Sequence, residues 1–222
     1  MDIVKKIRNL AKEKDAIILA HNYTRPEIQD IADFVGDSLE LSRTASKLSS
    51  GIIVFCGVHF MAETAYILSP DKMVLLPDIH AGCPMADMIS AAQLRELKKE
   101  HPGAKVVCYV NSSAEVKAES DICCTSANAV DIVNRLDSEE IIFVPDKYLG
   151  SYVSKVTGKK LILWDGYCPV HAMIKPEDIL KLKNFHPDAR VVVHPECPPE
   201  VIDLADAVKS TSGMLKYVKE TD

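Results

Sequence analysis

The chain carries no surplus of basic charge: 26 Lys and Arg stand against 32 Asp and Glu, a formal net charge of −6. Nucleic acids and anionic membranes are bound through basic faces, so neither is expected as a partner. No apolar run approaches the roughly 20 residues that a membrane-spanning helix requires. The first stretch, MDIVKKIRNLAKEKD, has no apolar signal core or cleavage site and reads as an amphipathic helix with Ile3, Val4, Ile7, Leu10 and Ala11 on one stripe. A cytoplasmic location is the expectation. With 47% hydrophobic and 26% charged residues, the 222-residue chain fits neither the disordered nor the fibrous class and is long enough to bury a sizeable core. Its seven cysteines are an odd count that cannot all pair within one chain, and a reducing compartment disfavours disulfides. Buried, metal-bound or catalytic thiols are the alternatives.

What is present is a rhythm of short β-rich runs separated by helical stretches: AIILA at 16–20, GIIVFC at 51–56, KMVLL at 72–76, AKVVCYV at 104–110, EIIFV at 140–144, KLILW at 160–164 and ARVVVH at 189–194. The alternation predicts an α/β fold with parallel sheets covered by helices on both faces. Overlaying the segments reveals an internal repeat. The first members of three strand-end triplets, His21-Asn22-Tyr23, Tyr109-Val110-Asn111 and His194-Pro195-Glu196, are 88 and then 85 residues apart. Asp33, Asp121 and Asp206 keep the same steps, as do Ser38, Ser126 and Thr211, while Cys83 and Cys168 are 85 apart. The register predicts a pseudo-threefold repeat of three-layer αβα domains over 15–84, 85–170 (with a leading connecting helix) and 171–222, the N-terminal helix 1–14 accompanying the third. By this register the third copy is incomplete, its cysteine loop expected near residue 253, roughly 31 residues past Asp222.

Ligands of open parallel sheets bind beyond the carboxyl ends of the strands, where the triplets lie. Their imidazoles, phenols, amide and carboxylate suit proton transfer and the orientation of a polar substrate. Ser38, Ser126 and Thr211 each lead a helical stretch, where a hydroxyl is a favoured N-cap. Three such helix starts around one pseudo-threefold axis would also suit a phosphate or carboxylate. Among the cysteines, Cys56 and Cys108 lie inside strand runs and Cys123 and Cys124 on an apolar face, as small core residues do. Cys83 and Cys168 lie instead in AGCPMADM and DGYCPVH, each with a glycine within two residues before it and a proline after it. Two equivalent thiolates and a third from the last copy would hold zinc or a 4Fe-4S cluster with one open iron, and spacing leaves both open. Cys197 lies beside a triplet rather than in a cysteine loop, which argues against it as a third ligand. A zinc hydrolase using His21 and His194 lacks the helix pattern such enzymes carry.

The segments AHNY, IADFVGDSLELSR, FMAETA, AGCPMADM, YVNSSAEVKA, TSANAV, FVPDKYLG, GYCPVH, HPEC and STSGM occur in an order that resembles the quinolinate synthase family, the iron–sulfur enzymes of de novo NAD biosynthesis. The resemblance covers essentially the whole chain. It implies three similar α/β domains with an active site on their shared axis, where iminoaspartate and dihydroxyacetone phosphate condense to quinolinate with loss of phosphate and water. It implies Cys83 and Cys168 as ligands of a 4Fe-4S cluster. It also implies His21, Ser38, Tyr109, Val110, Asn111, Ser126, His194, Pro195, Glu196 and Thr211 as substrate contacts. Glu196 is the candidate general acid/base, with Tyr23 and His21 assisting proton movement. A functional link to the enzyme that supplies iminoaspartate is implied as well. The alternative expectation is a catalytically silent fragment that still binds a phosphorylated or dicarboxylate ligand.

Overall fold

The fold is that of a computed structural model describing residues 2–221. The chain divides into two compact units, one up to Cys83 and one from Pro84 onward. No helix among the described residues is long and apolar enough to cross a membrane.

The first unit comprises α1 (Ile3–Glu13), β1 (Ala16–His21), α2 (Pro26–Gln29), β2 (Phe34–Gly36), α3 (Ser38–Lys47), β3 (Ile52–Cys56), α4 (His59–Leu68) and β4 (Met73–Leu75). Its four strands form a parallel sheet in the order β2-β1-β3-β4. Ile18, Leu19 and Ala20 are successive and all buried, as strands covered on both faces require.

The second unit begins with α5 (Ala91–Glu100), β5 (Lys105–Tyr109), α6 (Ala114–Ala118), β6 (Ile122–Cys124), α7 (Ala129–Arg135), β7 (Ile141–Val144), α8 (Lys147–Thr157) and β8 (Leu161–Leu163). Its sheet, β6-β5-β7-β8, repeats the order of the first, again all parallel. Leu94 of α5 and Val116 of α6 pack with Val106, Cys108, Ile142 and Val144. α8 lies against Phe143 and Leu163, so closely that a Cβ on Gly150 would come within 2.5 Å of Leu163. Alternate strand residues thus feed two helical layers, giving the expected αβα sandwich.

The unit continues with α9 (Pro169–Ala172), α10 (Pro176–Phe185), β9 (Val192–Val193), α11 (Pro199–Ile202), β10 (Ala207–Val208) and α12 (Thr211–Glu220). β9 and β10 pair in parallel as a two-stranded sheet. The third sheet therefore reproduces the β1–β2 and β5–β6 pairs. Val193, Cys197, Val201 and Ile202 form its small core, with Tyr152 of α8 packed against it.

The repeated aspartates explain part of the register. The Asp33 side chain accepts from the Ile18 amide at 2.8 Å, Asp121 from Val106 at 2.8 Å and Asp206 from Val191 at 2.7 Å. Each aspartate's own N–H returns a bond to the same residue's carbonyl, at 2.8, 3.0 and 2.8 Å. This two-way bracket fixes where the second strand joins the first, so the aspartate is required in every copy. Each also pairs with a cation: Arg8, Lys105 and Lys183 respectively.

Three strands escape the hydrophobic pattern. β2, β6 and β10 are two or three residues long and largely exposed or half-buried, so no run of β-branched residues announces them. The ARVVVH run shrinks to Val192–Val193 for the converse reason: β9 has one ladder partner, whereas β1 and β5 each have two.

Candidate functional site

A group of titratable side chains in the second unit is built around Glu196. β9 ends at Val193, and the turn that follows buries His194 and Glu196 to 5% and 4% exposure. Glu196 Oε1 accepts from the Tyr109 hydroxyl at 2.6 Å, and Oε2 lies 2.9 Å from His171 Nδ1. The same His171 nitrogen lies 3.0 Å from Cys168 Sγ. The His171 and His194 rings stack at 4.9 Å between centroids, and His194 Nε2 is 3.1 Å from Ser126 Oγ. The ends of β5 and β9, the turn after β6 and α9 with its N-cap residue Cys168 thus bring Tyr109, Ser126, Cys168, His171, His194 and Glu196 together.

Electrostatics assigns the protons. Burial works against charge on His171, but hydrogen bonds to Cys168 and Glu196 outweigh it and push the imidazole up to about 10. Burial alone would raise Glu196, yet the hydrogen bond from His171 and the surrounding histidine charge and Tyr109 hydroxyl hold it below the usual carboxylate value. Burial, reinforced by the Glu196 charge, raises Tyr109 well above its ordinary value, so it stays a phenol and donates. Burial drives His194 down to about 4, and its contact with Glu196 at 3.8 Å is therefore not an ion pair near neutrality. The Glu196 backbone N–H donates to His194 Nδ1 at 3.4 Å, which leaves the proton on Nε2, facing Ser126. The result is an ionised carboxylate between a phenol and an imidazolium, an arrangement that can take up or release a proton with little reorganisation.

Asp146 lies behind this group. It is fully buried, and its Oδ1 caps α8 by accepting from Tyr148 and Leu149, each at 2.8 Å. Its Oδ2 has no hydrogen-bond partner among the described residues. Burial and then the Glu196 charge push its carboxyl up to about 7. Gly166 makes this packing possible, because a Cβ there would sit 2.4 Å from the Pro145 carbonyl oxygen.

The first unit holds His21, Tyr23, Ser38 and Cys83. His21 is buried, its Nδ1 accepts from the Tyr23 N–H at 3.2 Å, and burial lowers its pKa against the opposing pull of Asp37. That backbone-to-imidazole bond reproduces the one at His194. Tyr23 is 66% exposed and meets His21 edge-on. In the second unit, Val110 and Pro195 are buried and Asn111 and Thr211 half-buried.

Two readings need correction. Ser38, Ser126 and Thr211 are not the N-caps: Asp37 caps α3, Asn128 occupies the cap position of α7, and Ser210 caps α12. Asp37 forms a capping box with Glu40, a stronger arrangement than a lone hydroxyl. Cys123 is exposed rather than buried, because β6 is a sheet edge, although Cys108 and Cys124 are core residues as expected. Cys197 is buried in the third core and its thiol is pushed up to about 11 by burial, consistent with a packing role.

The family model described as "NadA: Quinolinate synthetase A protein" matches residues 5–222. The chain belongs to the quinolinate synthase family. A quinolinate synthase of Dehalococcoides mccartyi is 66% identical over 220 residues, covering 99% of this chain and 73% of that protein. One from Methanosarcina barkeri is 58% identical over 220 residues, covering 99% and 72%, and one from a Geobacter species 59% over 215 residues, covering 97% and 71%.

Two residues beside Glu196 in this quinolinate synthase family member escape the repeat. The position equivalent to His171 in the first copy is Ala86, and that equivalent to Asp146 is Val58, the N-cap of α4. A search for shared positions passes over both. The Cys168-x-x-His171 spacing is the signal that would have found His171, since residues three apart share one helix face.

Proposed function

We propose that this chain forms quinolinate by condensing iminoaspartate with dihydroxyacetone phosphate, releasing phosphate and two waters, in the cytoplasm. The observation that supports this most is the Glu196 carboxylate held between Tyr109 and His171, because isomerisation, dehydration and ring closure each require protons to move at a site shielded from water. Glu196 accepts and returns the proton, Tyr109 and His171 keep the carboxylate oriented, and Ser126, held by His194, offers a hydroxyl to a substrate oxygen. His171 also supplies positive charge for a carboxylate or phosphate. His21, Tyr23, Ser38, Asn111 and Thr211, with the backbone of Val110 and Pro195, complete the proposed substrate contacts.

The donors present fit an iron–sulfur cluster. Cys168 is half-buried and outside any disulfide, and Cys83 is half-buried at the equivalent point of its copy, following the fourth strand. These two would hold a 4Fe-4S cluster together with the equivalent thiolate of the third copy. When bound, such a cluster supplies an open Lewis-acidic iron for substrate.

Anaerobic reconstitution tests this reading. The expected result is brown protein with a 4Fe-4S absorption signature that disappears in a Cys83→Ala, Cys168→Ala variant, and quinolinate detected on addition of both substrates. Protein reconstituted with iron and sulfide in the absence of zinc that takes up no iron would overturn it. Calorimetric binding of dihydroxyacetone phosphate without product would favour the silent fragment.

A further inference from the structure

We propose that Cys168, His171 and Glu196 form a binding site for a single zinc ion, assembled entirely within the unit from Pro84 onward and competing with any other use of the Cys168 thiolate. The three donor atoms lie within 4.8 Å of one another. His171 Nδ1 is the hub, 3.0 Å from Cys168 Sγ and 2.9 Å from Glu196 Oε2. One thiolate, one imidazole and one carboxylate are a donor set that zinc accepts, with three protein ligands and a fourth position for water.

The spacing suits the ion. Tetrahedral bonds of about 2.3 Å to sulfur and about 2.0–2.2 Å to nitrogen and oxygen place N and S about 3.6 Å apart and N and O about 3.4 Å apart. The two gaps at His171 would each open by roughly half an ångström, and the Cys168–Glu196 pair, within 4.8 Å, would settle near about 3.6 Å, all within reach of side-chain rotation. Neighbours would hold the ligands in place: Tyr109 binds the other Glu196 oxygen, and His194 stacks on the His171 ring. The His171 proton that bridges sulfur and carboxylate is the one the ion replaces, so binding releases protons. His194 is not a fourth ligand, since its Nδ1 accepts from the Glu196 backbone and its Nε2 faces Ser126.

This site does not depend on the cluster proposed above, but the two occupancies exclude each other because both take Cys168. Zinc held here would block cluster assembly and so act as an inhibitor of this chain.

The test uses the metal-free full chain under anaerobic conditions, titrated with Co²⁺ as the spectroscopic probe and then with Zn²⁺. The expected result is one equivalent of cobalt with a thiolate charge-transfer band and tetrahedral d–d bands, displaced by one equivalent of zinc. Cys83→Ala should bind equally well, while His171→Ala and Glu196→Gln should each weaken binding by more than about tenfold. Circular dichroism of both variants establishes that they fold, and the near-isosteric Glu196→Gln change serves as the control should His171→Ala fail to. No saturable cobalt binding, binding indifferent to both variants, or binding lost with Cys83→Ala would overturn the proposal. Cluster formation is not read in this titration, and a Cys83→Ala protein that binds cobalt but forms no cluster separates the two proposals.

Discussion

Replacing Asp146 with asparagine should change how stability depends on pH. Asp146 is fully buried with one oxygen unpartnered, and its carboxyl is raised from 3.8 to about 7 by burial and the Glu196 charge. As pH rises above 3.8 the unfolded chain gives up this proton while the folded chain retains it, so folding stability falls until the folded group also ionises near 7. At about 1.4 kcal/mol per pH unit, the loss amounts to at most about 4.5 kcal/mol across that window. The amide introduced by Asp146→Asn stays neutral throughout, and its oxygen still caps the Tyr148 and Leu149 amides. The stability of Asp146→Asn relative to the parent should therefore increase steadily from about pH 4 to about pH 7 and then level off. Urea denaturation followed by the fluorescence of Trp164 reads this, because the single tryptophan is anchored in the same unit by its indole bond to the Met88 carbonyl. His194 titrates in the same range but is present in both proteins and cancels. Parallel stability curves for the two proteins would refute the reasoning.

Lys159 donates to the carbonyls of Val133, Asn134 and Leu136 at the end of α7, so Lys159→Met should lower the urea midpoint by the equivalent of about 1–3 kcal/mol. Tyr109→Phe removes the 2.6 Å donor to Glu196 and should raise the Glu196 pKa, moving the acid limb of any pH–rate profile upward, with about 1.5–3 kcal/mol of stability lost near neutrality. Gly166→Ala drives a methyl into the Pro145 carbonyl and should destabilise the second unit by about 1–3 kcal/mol, read by thermal unfolding.

The repeat made most of the fold legible because its markers are forced by geometry. An aspartate that brackets two strands in every copy, and a polar turn at the end of every first strand, recur at 88 and 85 residues since each sheet is joined in the same way. β2, β6 and β10 were illegible because backbone pairing with a neighbour, rather than side-chain character, defines them. In the site, Tyr109, Ser126, Cys168, His194 and Glu196 emerged from the repeat and converge in the structure, whereas His171 and Asp146 occupy positions where the first copy carries Ala86 and Val58. What the first two copies share is scaffold and binding frame; these two ionisable groups are present in the second copy and absent from the first. The caps differ for a local reason: α3 and α12 begin at Ser38 and Thr211 themselves, so the preceding Asp37 and Ser210 cap them, whereas α7 begins three residues after Ser126 and Asn128 takes its cap position.

Glu196, held between Tyr109 and His171, is the proposed proton carrier in the formation of quinolinate. The most direct measurement is quinolinate production by anaerobically reconstituted protein, comparing the parent with Glu196→Gln at matched cluster content. Production by the parent that falls by about a hundredfold or more in the variant is the predicted result. Equal production by both proteins would contradict it.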